Sequence, residues 1–464
     1  MRQLKIALVN AGFERGEEGI LVSPPLGIMC VGAYLRQHGH EVSIFDWSGE
    51  VLDQGKEDEL KAFAPEVVGF TVILGSSILR SKKASAWARG MGAKVVWGGP
   101  LPSALAEMCL RQAEVDAIVA GEGEETMLEL CQALHEGIPL RQVKGIAFLE
   151  EGEVVRREAR PRIKDLDSLP MPWWEGIGPL GRYLIPYHGR MGMPMVTSRG
   201  CPGNCTFCYT KYMWGYRWAS RSAAKVIEEI HLIQELEPRM GAAIFDDDLF
   251  AGSTKRILEF CDLLRQTGTD IYWNCEIRAA DITKPLVARM KEAGCAELLV
   301  GVESGSDRLL AKVAKGIAKE DIVKAFDIIH KAGMQGNAML MVGMPGETLE
   351  DFEETERLLR RLKADGFYFG LYLPTPGTEF LQVAKEHGFT EPRTLEEWAS
   401  LGGYSISSYP QRSMSEVPWE RVRSTIDRER RQARYRHYRQ ALRQDPIGAV
   451  LRGVRGRAGQ KKTE

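Results

Sequence analysis

Three cysteines follow one another in a C-x-x-x-C-x-x-C spacing, Cys201, Cys205 and Cys208, within the segment SRGCPGNCTFCYT. The surrounding Gly, Pro and Asn residues allow this loop to wrap around a ligand. Three thiolates are one ligand short of a closed zinc site, and the nearest histidine, His188, lies upstream. A cubane cluster held by three thiolates instead keeps one iron open. The spacing therefore indicates an iron–sulfur cluster with an open iron; another kind of iron–sulfur site, zinc and inert thiols are the alternatives.

The composition argues against several function classes. The chain has 464 residues and a net charge of −2, which gives no overall attraction to nucleic acid or anionic membrane. It has no signal-peptide pattern and no run of the roughly 18 apolar residues that a membrane span needs. We therefore expect a cytoplasmic protein without nucleic-acid or membrane partners. The remaining cysteines stand singly among apolar neighbours and are interpreted as core thiols: Cys30, Cys109, Cys131, Cys261, Cys275 and Cys295.

The first series of elements predicts an α/β domain. Residues 4 to about 140 alternate helical stretches with five strands, KIALVNA, EVSIFDW, PEVVGFTVI, KVVWGGP and DAIVAGEGE. This spacing requires crossover helices and parallel pairing, and so predicts a doubly wound, Rossmann-like sheet. Ligands bind beyond the carboxyl ends of the strands in such sheets, where Gly98-Gly99-Pro100 and Gly121-Glu122-Gly123-Glu124 lie.

A second series begins near residue 193, with the strands MPMVTS, AAIFDDD, IYWNCEI, ELLVGVE, NAMLMVGMP and FYFGLYLP. Six strands, all but the last followed by a helix, predict a partial (β/α)6 barrel with its chemistry at the carboxyl strand ends. The predicted domains are the Rossmann-like domain at 1–140, a hairpin and linker at 141–185, the barrel at 186–385 and a C-terminal helical region with a basic tail at 386–464. We interpret the arginines of that last region as a solvated helix face.

The cysteine spacing, with Phe207 directly before the third cysteine, resembles the radical S-adenosylmethionine (SAM) superfamily. Motifs at four strand ends are similar to its subgroup with an N-terminal cobalamin-binding domain: Phe245–Asp248, Gly301–Gly305, Gly343–Thr348 and Pro374–Thr378. The resemblance spans roughly residues 4–385. It implies that the three cysteines bind a [4Fe-4S] cluster, which reduces SAM to release a 5'-deoxyadenosyl radical.

The same resemblance implies a set of SAM-binding residues. Carboxylates at strand ends suit the methionine ammonium or the ribose hydroxyls of SAM, and glycines let the backbone approach the adenosyl group. The expected residues are Phe207, Asp247, Glu303, Ser304, Gly343, Pro345, Gly346 and Pro376. For the DDD run, a strand-to-helix cap is an alternative.

Whether the first domain binds cobalamin stays open at this point. The D-x-H-x-x-G signature that ligates cobalt elsewhere is missing, although many members of the subgroup lack it. His38 and His40 fall in a helix-to-strand turn and are interpreted as structural. The Gly-rich strand ends favour a nucleotide tail, whereas Leu101, where the subgroup usually has histidine after Gly-Gly-Pro, argues against the cofactor.

The segment Cys208–Arg221 and the degenerate cobalamin domain resemble the aminoglycoside diol dehydratases of the superfamily more than its methyltransferases. That resemblance implies dehydration of a sugar diol, such as the C3' and C4' hydroxyls of paromamine. It implies Tyr216 as the catalytic proton shuttle. Asp248, Glu276 and Tyr372 are the expected lining of a pocket for this polycationic substrate.

Tyr216 and the reaction each allow a second interpretation. The ring of Tyr216 could equally pack as an aromatic side chain beneath the cluster. If cobalamin is present, the alternative reaction is methyl transfer to an unactivated carbon of a natural product. A transfer RNA methylthiotransferase should carry three further cluster cysteines near its N-terminus, and the sequence has none; an iron–sulfur or corrinoid sensor is the non-enzymatic alternative. The expected partners are a flavodoxin- or ferredoxin-type electron donor and an NAD(P)H-dependent reductase for the keto product.

Overall fold

The computed structural model describes residues 3–14, 22–402 and 406–444, with side chains to residue 436. Two seven-stranded sheets organise this part of the chain. The first belongs to an N-terminal Rossmann-like domain and the second to a partial barrel, as the sequence predicts. None of the described helices is long and apolar enough to cross a lipid bilayer.

The N-terminal sheet has the order β2-β1-β3-β4-β5-β6-β7, in which β1 to β5 are parallel. All five predicted strands are confirmed. Its elements are β1 (Lys5–Asn10), α1 (Leu26–Gln37), β2 (Glu41–Asp46), α2 (Gln54–Phe63), β3 (Val67–Thr71), α3 (Ser77–Gly90), β4 (Lys94–Gly98), α4 (Pro100–Ala104), α5 (Ala106–Gln112), β5 (Ala117–Val119), α6 (Glu124–Glu136), β6 (Ile146–Glu150) and β7 (Glu153–Arg156).

The hairpin β6-β7 differs from its predicted place. The sequence places it in the linker at 141–185, but β6 pairs antiparallel with β5 and so extends the N-terminal sheet. The pairing buries Ile146 and Phe148 in the domain core, which a free hairpin would expose to water. The first domain therefore reaches Arg156, and the linker begins after it.

The barrel sheet has the order β16-β15-β14-β13-β12-β9-β8, parallel except at β8. Its elements are β8 (Ile185–Tyr187), β9 (Arg190–Met195), β10 (Ser198–Arg199), α7 (Tyr209–Trp214), β11 (Ala219–Ser220), α8 (Ala223–Leu236), β12 (Met240–Phe245), α9 (Thr254–Thr267), β13 (Tyr272–Ile277), α10 (Lys284–Glu292), β14 (Cys295–Glu303), α11 (Asp307–Lys312), α12 (Lys319–Lys331), β15 (Gln335–Val342), α13 (Leu349–Leu362) and β16 (Gly366–Leu371). All six predicted barrel strands are present. The edge strand β8 and the small β10-β11 pair were not predicted, because two- and three-residue strands leave no periodic signal.

The C-terminal region divides between the two domains. It contains α14 (Phe380–Glu386), α15 (Leu395–Ser400), α16 (Tyr409–Arg412) and α17 (Trp419–Gln444). Leu395 and Trp398 of α15 are fully buried in the core of the N-terminal domain. In α17, Arg421 and Arg428 pair with Glu356 of α13 on the barrel. The region predicted as one unit at 386–464 thus packs against both domains. Its tail from residue 445 lies outside the described residues.

Candidate functional site

The three motif cysteines lie on the loop between β10 and α7, at the carboxyl end of the barrel sheet. All three are free and half-buried. The loop is anchored to the barrel by the Thr206 amide, which donates to Val313 O at 3.1 Å, and by Thr206 O, which accepts from the Phe380 amide at 3.0 Å. The backbone is therefore fixed at Thr206, directly after Cys205.

The donor set fits a multi-iron cluster better than a single ion. Among the described residues, no group of three or more His, Cys, Asp or Glu side chains is arranged to hold a single metal ion. Three thiols on one loop are one ligand short of a closed zinc site, whereas a cubane with one open iron needs only three. Burial raises the pKa of the Cys205 thiol to about 11, although Lys315 opposes this shift. Positive metal charge is what holds such a thiol as thiolate.

The three consecutive aspartates directly follow β12 and differ in their surroundings. Asp247 is 1% exposed, and its Oδ1 accepts from the Thr197 amide at 3.0 Å and from the Ser198 hydroxyl. Asp246 lines a cavity. The predicted ligand Asp247 therefore holds the start of the segment that leads into the cysteine loop.

Asp248 also positions the loop. Its Oδ2 accepts from the Gly200 amide at 3.0 Å, and its Oδ1 accepts from the Tyr209 and Thr210 hydroxyls at 3.1 Å. Asp248 lines the same cavity as Asp246, so its predicted contact with substrate stays a prediction.

Glu276 and Glu303 lie near the carboxyl ends of β13 and β14, and Glu303 is close to Cys205. Burial, and then the carboxylates of Asp246 and Glu303, raise the pKa of Glu276 to about 7, and burial likewise raises that of Asp246 to about 6. Glu303 ends β14 with φ +61°, and its Oε1 accepts from Lys315 Nζ at 2.6 Å. A left-handed backbone at a non-glycine residue is strained and concentrates at functional positions. Lys315, close to Cys205 and Cys208, was missed because no local pattern links it to them.

Hydrogen bonds to nearby side chains fix the predicted SAM-binding turn after β15. The Gly343 amide donates to Glu347 Oε2 at 2.7 Å, while Pro345 O and Gly346 O accept from Lys312 and Arg308 at 2.8 Å each. Burial raises the pKa of Glu347 to about 7.

Other predicted residues pack inside the protein. Ser304 is 1% exposed and accepts from the Ser306 amide at 3.1 Å, and Pro376 is buried. Phe207 packs against a group of buried apolar side chains that includes Tyr372. Tyr372 is 2% exposed and contacts Phe380 edge to face. Tyr372 therefore lies among the core side chains that pack against the cysteine loop at Phe207, and it does not line the cavity.

Tyr216 is the predicted catalytic residue that the structure separates from the site. Its side chain is 53% exposed, its ring lies 4.7 Å from Lys211 Nζ, and it does not line the cavity. It is not packed beneath the cysteine loop either. The prediction rested on chain proximity to Cys208, but α7 ends at Trp214 and both Tyr216 and Arg217 beyond it are exposed.

A cavity of about 340 Å³ lies between the two domains. Its N-terminal-domain wall contains the strand ends and the glycines at 69, 98, 99, 121 and 123. Its barrel wall contains Arg199, Met213, Trp214, Asp246 and Asp248. The cavity thus joins the Gly-rich edge of one domain to the cysteine loop of the other.

The N-terminal wall has the shape that a nucleotide tail requires. The cavity passes between the sheet and helices α1 and α6, along Leu8, Val31 and Met127. At Gly69 a Cβ would stand 3.0 Å from Leu8 and 3.2 Å from Met127, so a side chain there would fill the passage. The cavity has no histidine in its described lining; His40 instead accepts from the Leu4 amide. The residues therefore fit cobalamin bound without a protein ligand to cobalt.

Arg199 joins the two walls. It pairs with Glu122 at 2.8 Å and with Glu124, and the side chains of both carboxylates are less than a tenth exposed. The residue stands two positions before Cys201 and was missed as a functional candidate, because sequence distance gives no sign of a contact across domains.

Comparisons with known proteins agree with this arrangement. The model of the radical SAM superfamily matches residues 195–359, and that of the B12 binding domain matches residues 21–131. An uncharacterized methyltransferase of Pyrococcus horikoshii is 31% identical over 393 residues, which cover 83% of this chain and 84% of that protein. The chain belongs to the radical SAM superfamily. This radical SAM protein accordingly has a B12-binding domain before its barrel.

Two further similarities extend the comparison. Anaerobic magnesium-protoporphyrin IX monomethyl ester cyclase of Rubrivivax gelatinosus is 28% identical, over 82% of this chain and 70% of that one. The radical SAM methyltransferase TsrM of Kitasatospora setae shares the fold, with a TM-score of 0.70 and 17% identity over 92% of this chain and 89% of that one.

These findings correct the expected reaction. Dehydration of an aminoglycoside diol, predicted from the sequence in preference to methyl transfer, is wrong: the similar proteins are methyltransferases and a cyclase. The dehydratase resemblance rested in part on the segment Cys208–Arg221, in which Met213 and Trp214 line the cavity and Tyr216 does not. The cluster and SAM are confirmed as cofactors, and the B12-binding domain supports the cobalamin that the sequence left open.

Proposed function

We propose that this protein is a cobalamin-dependent radical SAM methyltransferase that acts on an unactivated carbon of a small molecule. The observation that carries the proposal is the shared cavity. Its lining runs from the Gly-rich strand ends of the B12-binding domain to Arg199, Asp246 and Asp248 beside the cysteine loop. A reaction that uses both cofactors on one substrate needs both sites to open into one space.

The residues of the chain have separable tasks in this reaction. When bound, the cluster with SAM supplies a carbon-centred radical, and cobalamin supplies the methyl group. Cys201, Cys205 and Cys208 hold the cluster. Glu303 and Lys315 form a buried ion pair beside it, suited to the ammonium and carboxylate groups of SAM.

The remaining cavity wall excludes water and orients the substrate. Leu166, Leu169, Pro170 and Met213 provide apolar surface between the domains. Asp246 is one of the carboxyl groups that line this space, and its raised pKa of about 6 lets it hold or release a proton near neutral pH. A donor of the flavodoxin or ferredoxin type stays our prediction for cluster reduction.

The proposal is tested by methyl transfer from deuterated SAM. Anaerobically reconstituted full-length protein is incubated with methyl-deuterated SAM, reductant and a deproteinised metabolite extract, with and without hydroxocobalamin. We expect 5'-deoxyadenosine, which takes the hydrogen that the radical abstracts, together with S-adenosylhomocysteine and a metabolite that gains the deuterated methyl group; the last two should form only when cobalamin is present. Product formation of equal yield without cobalamin contradicts the proposal.

Two variants separate the cluster from general thiol effects. Cys205→Ala removes a cluster ligand and should abolish the formation of 5'-deoxyadenosine and of the methylated metabolite. Cys261→Ala removes a buried thiol of α9 outside the loop and should retain them. Equal activity of Cys205→Ala and the wild type contradicts the assigned cluster site.

A further inference from the structure

The indole nitrogen of Trp214 is a buried donor without an acceptor. Trp214 ends α7, its side chain lines the interdomain cavity, and its enclosed Nε1 has no hydrogen-bond partner among the described residues. The buried indoles of Trp97, Trp174 and Trp273 do donate, at 2.8–2.9 Å. Trp398 has an unpartnered nitrogen too, but it lies in the N-terminal core and lines no described cavity. A buried donor left unpaired costs free energy, so one that belongs to a residue lining a cavity points to a ligand.

A second hydrogen-bond donor, the guanidinium of Arg162, lies over the ring of Trp214. The Arg162 guanidinium stands 5.3 Å from the Trp214 ring, and within the described chain it has neither an ion pair nor a hydrogen bond. Burial lowers the pKa of Arg162, and Arg199 nearby lowers it further. Gly121 leaves the space that the guanidinium occupies, because a Cβ there would stand 2.8 Å from Arg162 Nη1.

The charge balance identifies the kind of acceptor. Arg162 and Arg199 face the two carboxylates Glu122 and Glu124, so the group is neutral as a whole. Glu122 is already bonded, since Oε1 accepts from Arg199 and Oε2 accepts from the Ile163 amide at 2.8 Å. These four side chains therefore have unused hydrogen-bond donors, but they carry no net positive charge. A neutral acceptor such as an amide carbonyl suits it better than a phosphate.

We propose that Trp214 and Arg162 donate hydrogen bonds to a carboxamide on the edge of the corrin ring. The barrel and the linker thereby complete a cobalamin site whose other wall is the N-terminal domain. This inference rests on the proposed function, since it requires cobalamin in the shared cavity. It assigns to two residues outside the B12-binding domain a share in the affinity for that cofactor.

The test measures binding and not turnover. Full-length cofactor-free protein is titrated with hydroxocobalamin and with dicyanocobinamide, which keeps the corrin carboxamides but lacks the phosphate and nucleotide. Bound corrinoid is separated by ultrafiltration and read by its absorbance. We expect Trp214→Phe and Arg162→Gln to weaken both ligands about three- to tenfold, the range for loss of one hydrogen bond. Tyr216→Phe, which removes an exposed donor two residues along, should bind like the wild type.

The stability of Trp214→Phe without cofactor distinguishes a cofactor-binding role of Trp214 from a purely structural one. Trp214→Phe removes an unpaired buried donor, so urea unfolding of the cofactor-free variant should show stability equal to or above that of the wild type while affinity falls. Unchanged affinity in both variants overturns the inference, and so does weaker binding of cobalamin alone, which would indicate a phosphate contact. If Trp214→Phe does not fold, Arg162→Gln decides by the same criteria. Absence of cobalamin binding by the wild type overturns the proposed function itself.

Discussion

Arg199 donates to Glu122 across the domain boundary at 2.8 Å, two residues before the first cluster cysteine. The bond, together with that to Glu124, ties the cysteine loop of the barrel to the Gly-rich turn of the B12-binding domain. A largely buried ion triad therefore contributes to the relative position of the two cofactor sites, beside the chain connection and the C-terminal helices.

Arg199→Gln should destabilise the protein by about 3–5 kcal/mol, since loss of one partner leaves buried charge uncompensated. Urea unfolding of the cofactor-free protein measures the change. The exposed Arg217→Gln serves as control and should remain within about 0.5 kcal/mol of the wild type. Equal stability of Arg199→Gln and the wild type would show that the triad does not hold the domains.

Glu303→Gln should weaken SAM binding about tenfold and lower stability, because Lys315 is left as a buried unpaired cation. Equilibrium dialysis of the reconstituted protein with SAM gives the affinity, and urea unfolding gives the stability. The matched control is Glu354→Gln, which breaks the more exposed pair with Lys319 and is expected to cost about 0–1 kcal/mol. If Glu303→Gln binds SAM as tightly as the wild type, the assignment of this ion pair to the SAM site is wrong.

Glu276 should make stability depend on pH. Its pKa is raised to about 7 in the folded protein, against about 4.3 in an unfolded chain. Between these values the folded state holds a proton that the unfolded chain releases, so the free energy of unfolding falls as pH rises and becomes level above about 7.

The variant Glu276→Gln should remove this part of the decline. Urea unfolding of cofactor-free protein at pH about 5 and about 7.5 tests it, with a smaller decrease expected in the variant than in the wild type. The exposed Glu235→Gln on α8 should parallel the wild type. A decrease in Glu276→Gln as large as that of the wild type would contradict the assignment.

Trp398→Ala should cost about 3–5 kcal/mol, the usual loss for a fully buried aromatic side chain. Because α15 packs into the N-terminal core, hydrogen exchange should rise in α3 and β4 and not in the distant barrel strands. On the same helix, Glu396→Gln breaks only a surface pair with Lys82 and should cost about 0–1 kcal/mol. Exchange that rises only in the barrel would contradict the role of α15 as part of the first domain.

Local patterns predicted the fold because each strand–helix unit carries its own signal. Alternation of apolar strands and amphipathic helices was sufficient for β1 to β5 and for the six barrel strands. It was insufficient for the hairpin β6-β7, since the edge that a hairpin joins depends on which apolar surface remains uncovered. The reaction was misjudged for a related reason: a resemblance over Cys208–Arg221 took no account of which of those side chains face the cavity.

The sequence by itself predicted the cluster ligands and determined the radical SAM superfamily and the order of the domains, because three thiolates at this spacing and two series of βα units are properties of contiguous segments. Only the tertiary structure decided that Asp246 and not Asp247 faces the cavity, that Tyr216 lies outside it, and that Arg199, Arg162 and Trp214 meet the turn at Gly121. Those relationships arise where separate domains pack together, and the free energy that fixes them comes from burial and pairing between residues far apart in the chain.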